Sequence, residues 1–171
     1  KNPQKKIVIK DSDTNDEKIK IENTLINSKE EDKIYGLYDP EKNNLDLNMW
    51  SSTSAEDVRA SLKRIKKIKL SKTSNEILEN ILLSYSFPPQ GMAEKEFTSL
   101  KINWLVENNR SELIEIFLKQ NENFYSKDKA VQFLVDENIA QANIQEGCKK
   151  IKFIGSSIKD PYLEKFKIYC L

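Results

Sequence analysis

From Ser54 to Leu171 apolar residues recur three and four apart in one segment after another, with capping and turn residues between the segments. This 3.6-residue period constrains the fold most, because a chain so patterned lacks the strict alternation that a half-buried sheet requires. Ser54 and Asp57 fit a capping box ahead of a first stripe of Val58, Leu62, Ile65 and Ile68. Thr73 and Glu76 fit a second box, leading to Ile77, Leu78, Ile81, Leu82 and Tyr85, and Pro88, Pro89 and Gly91 stop that helix. A third helix, about 93–108, carries Phe97, Leu100, Trp104 and Leu105. Ser111 reads as the cap of a fourth, whose Leu113, Ile114, Ile116, Phe117 and Leu118 are apolar on more than one side and call for neighbours on both. Ser126 starts a fifth with Val131, Leu134, Val135 and Ile139, and Asn143 a sixth with Ile144, Cys148, Ile151 and Ile154. Asp160 and Pro161 supply the N-cap and first turn of a seventh, with Leu163, Phe166, Tyr169 and Cys170 on one face. An all-α chain of antiparallel helical hairpins is expected over 54–171.

The N-terminal third reads differently. Residues 1–35 are charged and poor in large apolar side chains, which predicts a flexible segment. KIVIK (6–10) and KIKIE (18–22) alternate like strands, but a lone hairpin is marginal in water. Residues 36–53 mix turn formers with Leu45, Leu47, Met49 and Trp50 and predict an ordered connector, with Trp50 plugging onto the first helices.

The later helices repeat. Those opening near 93, 127 and 161 lie about 34 residues apart, the period of tetratricopeptide-type hairpins. Val131, Leu134 and Val135 recur as Phe166, Tyr169 and Cys170, and Leu100 and Leu105 recur as Leu134 and Ile139. Over roughly 93–171 the chain resembles the tetratricopeptide-like α-solenoid superfamily. The resemblance is architectural. The small position in the second helix of each repeat falls on Ile114 and Cys148, and the family's Trp and Gly-Tyr pattern is not matched in register. It implies helix pairs stacked as a short right-handed solenoid or bundle, with a concave face for a partner. It also implies that the apolar seventh helix is the first half of a hairpin, to be covered by further repeats of the same chain or another subunit. The alternative is that this helix folds back and closes the bundle unaided.

Composition narrows the chemistry. Histidine is absent, which removes the commonest general base and the usual zinc ligand. The four glycines are too scattered for a phosphate-cradling loop, and no apolar run approaches the roughly 20 residues of a membrane span. Lys+Arg and Asp+Glu nearly balance, 28 against 27, so no global field favours a nucleic acid or a membrane. No catalytic, cofactor-binding or metal-binding residue is assigned, and the chain reads as a non-enzyme without cofactors. DSDTNDEKIKIE (11–22) places Asp11, Asp13, Asn15, Glu17 and Glu22 near the ligand positions of a calcium loop. Asp16 and Lys18 stand where that loop wants glycine and an apolar anchor, so a solvated acidic loop is the preferred reading.

Three groups are singled out. Lys63, Arg64, Lys66 and Lys67, within KRIKKIKLSK (63–72), form a candidate anionic-partner patch; as structure they are the polar face of the first helix. Cys148 and Cys170 fall at similar heights on adjacent helices, so a disulfide is geometrically open; the other reading is two buried thiols. Trp104, Phe166, Tyr169 and Leu171 are candidates for a partner face. The leading functional reading is a non-catalytic helical-repeat interaction or scaffold module, able to oligomerise through its C-terminal helix. The alternatives are a superhelical accessory domain of a bacterial cell-envelope enzyme and a lysine-rich nucleic-acid-binding module. The start at Lys1 suggests a processed or excised form and, with the cysteine geometry, leans towards a secreted or periplasmic location over a cytoplasmic one.

Overall fold

A computed structural model of the chain describes residues 33–155 and 160–171. The alternating segments and the acidic 11–22 stretch lie outside the described residues. The described chain is all-helical, with seven α-helices and two single 3-10 turns. The helices are α1 (Ala55–Ile65), α2 (Lys72–Leu83), α3 (Glu94–Glu107), α4 (Ser111–Gln120), α5 (Lys127–Ala140), α6 (Ile144–Lys150) and α7 (Pro161–Tyr169). Consecutive helices pack on one another from α3 to α6, and α3 also touches α5.

Local chemistry explains most boundaries. Ser54 has extended backbone and its Oγ accepts from the Asp57 amide at 3.1 Å. Asp57 completes the box by taking the Ser54 hydroxyl at 2.7 Å instead of reaching back to the Ser54 amide. α1 ends at Ile65, so Ile68 leaves the expected stripe and stands exposed in the following turn. α2 starts earlier than expected: Ser71 is extended and accepts from the Ser74 amide, which puts Thr73 inside the first turn instead of at a cap. Ser111 is likewise the first helical residue of α4 and not its cap, because the left-handed Asn109 reverses the chain two residues before it. At α7 the expected start holds, with the Asp160 carboxylate accepting from the Leu163 amide at 2.9 Å.

The core runs along α3, α4 and α5. Ile102, Leu105, Ile114, Phe117, Ala130, Val131 and Val135 are wholly buried. α4 has α3 on one side and α5 on the other, as its two apolar sides require. α3 buries most of its circumference, including Thr98 and Lys101.

The connector docks as an extended strap. The Leu37 amide donates to Leu83 O at 2.7 Å and the Tyr85 amide to Tyr38 O at 3.0 Å, a short parallel pairing with the segment after α2. Tyr85 therefore belongs to that pairing and not to the stripe of α2. Gly36 makes the pairing possible, because a Cβ there would lie 2.6 Å from the Tyr85 nitrogen. Asn121, at the end of α4, reads the same glycine with its side-chain amide, donating to Gly36 O at 3.0 Å. Trp50 packs against the core, its ring edge-on to Phe97 of α3.

Candidate functional site

α1, the turn after it, α2 and α3 enclose an open groove of about 730 Å3. Its apolar floor is Leu62, Ile65, Ile68, Leu70, Leu78, Leu100 and Trp104. The floor exists because α1 stops at Ile65. The chain turns through Ile68 and Leu70 before Ser71 caps α2, and both side chains line the trough beside α3. Ile68 is 60% exposed within it.

The rim is charged. Arg59 holds Glu96 of α3 with two bonds of 2.6 and 2.7 Å, and Lys66 reaches Glu107 at 2.8 Å. These exposed ion pairs link α1 and the turn after it to α3, and solvent screens both. Lys63 and Lys69 line the same rim and have no carboxylate partner among the described residues. The candidate patch is thus partly relocated: Lys63 and Arg64 are on α1, whereas Lys66 and Lys67 lie past its last residue. It borders an apolar trough and is not the plain polar face of a helix.

The expected partner face divides. Trp104 is buried on α3 and lines the groove, only 8% exposed. Phe166, Tyr169 and Leu171 are on or beyond α7, which sits on α6. Phe166 is half-buried beside Gly147 of α6, where an added Cβ would stand in ordinary contact with its ring, 3.4 Å from Cζ. Leu163 is wholly buried and anchors α7, and the Tyr162 hydroxyl donates to Asp136 of α5. Farther along, Ile168 and Tyr169 are exposed and Leu171 is fully so. Cys148 and Cys170 are joined as a disulfide between α6 and the end of α7, with Cα atoms 5.5 Å apart.

Two polar anchors, one buried and one partly exposed, escaped sequence reasoning. Lys101 is almost wholly enclosed, donating from Nζ to Tyr35 O at 2.6 Å and Ser84 O at 2.9 Å and lying 4.6 Å from the centre of the Phe97 ring. Burial pulls its ammonium down to about 7, although both carbonyls and the ring face favour the charged form. The signal available was its place midway between Phe97 and Leu105, four residues from each on an apolar stripe. Glu115 on α4 takes Lys150 at 2.6 Å and Lys119 at 2.9 Å, and those hydrogen bonds hold its carboxyl at about 2. Lys101 pins the strap and Glu115 pins the α6 end; neither faces the groove.

Among the described residues no acidic or cysteine cluster of metal-binding size occurs, and no helix is long and apolar enough to cross a membrane. No protein family matches the chain, and neither a curated protein nor a solved structure matches it significantly.

Proposed function

We propose that this chain is a non-catalytic helical-hairpin module that binds a protein partner in the α1–α2–α3 groove. The observation that carries the reading is the floor of that groove. Seven apolar side chains line a trough open to solvent, and one of them, Ile68, is largely exposed. Contiguous apolar surface of this kind marks binding sites more often than scattered apolar residues do. Affinity capture from the source cells, run side by side with the wild-type chain and Ile68→Asp, tests it. A protein retained by the first and lost by the second is expected. Equal retention by both, or a compact monomer with no stable partner, overturns the reading.

The Cys148–Cys170 bond favours a second reading about place, namely a chain that works in an oxidising compartment, as an accessory domain of the cell envelope does. Alkylation of the protein taken directly from its source cells decides it. Thiols that alkylate without prior reduction count against that location.

A further inference from the structure

Resting on the partner-binding reading, we infer that the occupant of the α1–α2–α3 groove is an acidic amphipathic helix of another protein. The rim supplies the charge argument. Arg59, Lys63, Lys66 and Lys69 face the groove against the single carboxylate of Glu107. Two of those four cations are already paired, Arg59 with Glu96 and Lys66 with Glu107. Lys63 and Lys69 are left to meet charges brought by the occupant, and Arg64 and Lys67 extend the same sign onto the exposed surface beside them.

The floor supplies the shape argument. A helix is about 10 Å across, and its apolar anchors at i, i+3/i+4 and i+7 form one narrow stripe. Ile65, Ile68, Leu78 and Trp104 offer such a stripe a matching trough, with lysines where the helix flanks would carry Glu or Asp. A small ligand is enclosed over most of its surface when bound, which this open groove does not provide. Single-stranded nucleic acid needs exposed rings on which to stack, and Trp104 is buried. The sequence feature that first looked like a phosphate strip thus becomes the flank of an apolar seat.

The test is a displayed library of random 16-residue segments, selected on the full chain at low salt. Selected segments should be acidic, with apolar residues at helical spacing. One of them, made as a fluorescent peptide, should lose about tenfold in affinity with the double variant Lys63→Glu/Lys69→Glu, and at least as much with Ile68→Asp. Raising the ionic strength from about 0.05 to 0.3 M should weaken it several-fold. All three side chains are exposed, so both variants should retain the wild-type circular dichroism and melting point. Selected segments that need Ile68 but carry no net negative charge overturn this inference and leave the partner-binding reading standing. Segments indifferent to Ile68→Asp overturn both. Failure to select any segment, or displacement of the bound peptide by a single-stranded oligonucleotide, overturns the acidic-helix assignment.

Discussion

The two ends of the described helical stack are held by different means. At the strap, residues 35–38 are tied down by backbone pairing with the segment after α2, by the Asn121 amide and by the buried Lys101 ammonium. At α7 the buried anchors are Leu163, the half-buried Phe166 and one covalent bond. The first end depends on many polar contacts that form only in the folded chain. The second has little burial and relies on a cross-link that also restricts the unfolded chain. A stack of short helices can thus be closed by dense hydrogen bonding or by a staple, and the two should fail in different ways.

The largest effect is expected at the strap. Gly36→Ala sets a methyl group against the backbone of Ser84 and Tyr85, which no rotamer change can relieve. Overpacking costs about 1–3 kcal/mol, and loosening the hydrogen bonds around Gly36 adds about 1 kcal/mol for each bond lost. Destabilisation of about 4 kcal/mol is expected, read from the denaturant midpoint. Because Lys101 loses its Tyr35 acceptor if the strap lifts, the whole stack should melt as one unit. A midpoint within about 0.5 kcal/mol of wild type, the range of a neutral surface substitution, breaks the claim that this end is the more tightly determined.

At the other end, replacing both Cys148 and Cys170 by serine removes a loop closure spanning 22 residues. In the chain-entropy model this is worth about 3 kcal/mol. The loss should appear locally. Amides of α7 should exchange much faster, while those of α3–α5 keep protection, because Leu163 alone contributes only about 2 kcal/mol of burial. Uniform loss of protection along the chain would show that the staple supports the entire stack, and would erase the contrast with the strap.

The helices were legible because periodicity and caps are local. Ser54 and Asp160 act where their side chains suggested, and the starts of α3, α5 and α7 at Glu94, Lys127 and Pro161 keep almost the spacing of the repeat. What the repeat could not convey is how many neighbours each position has. Val131 and Leu134 are buried, yet Tyr169, the equivalent of Leu134, is 67% exposed, since α7 has fewer neighbours than α5. Ile139, the equivalent of Leu105, also stands exposed, near the end of α5. The groove was legible only in part. Its lysines were visible as a cluster, but the trough beside them exists because α1 stops at Ile65 and α2 begins at Lys72. Those boundaries depend on Ser71 outcompeting Thr73 as a cap. Lys101 and Gly36 were hidden for a different reason, because their partners lie far away in sequence. A lysine among apolar residues reads as solvent-facing until two carbonyls are seen to converge on it.

Lys101 also gives the strap a pH signature that the α7 end lacks. In the unfolded chain a lysine titrates near 10.4, while burial brings Lys101 down to about 7 in the fold. Between these values the unfolded chain binds more protons, so stability rises with pH. Below about 7 both states are protonated and the dependence vanishes. The expected gain from pH 7.5 to 9 is about 2 kcal/mol, from a slope approaching 1.4 kcal/mol per pH unit. Tyr38 and Tyr162, each pushed up to about 12, oppose this only above pH 10, where the unfolded chain would ionise first. Glu115, held at about 2, gives its full contribution above the unfolded carboxylate range and loses it only on acidification through that range. Neither therefore disturbs the window. Lys101→Met should lower stability, by leaving Tyr35 O and Ser84 O without their donor, and should also flatten the slope. Denaturant midpoints for both chains across pH 7.5–9 provide the check. Parallel curves would mean that the Lys101 ammonium stays charged throughout, held by its two carbonyls and the Phe97 face more strongly than desolvation opposes it.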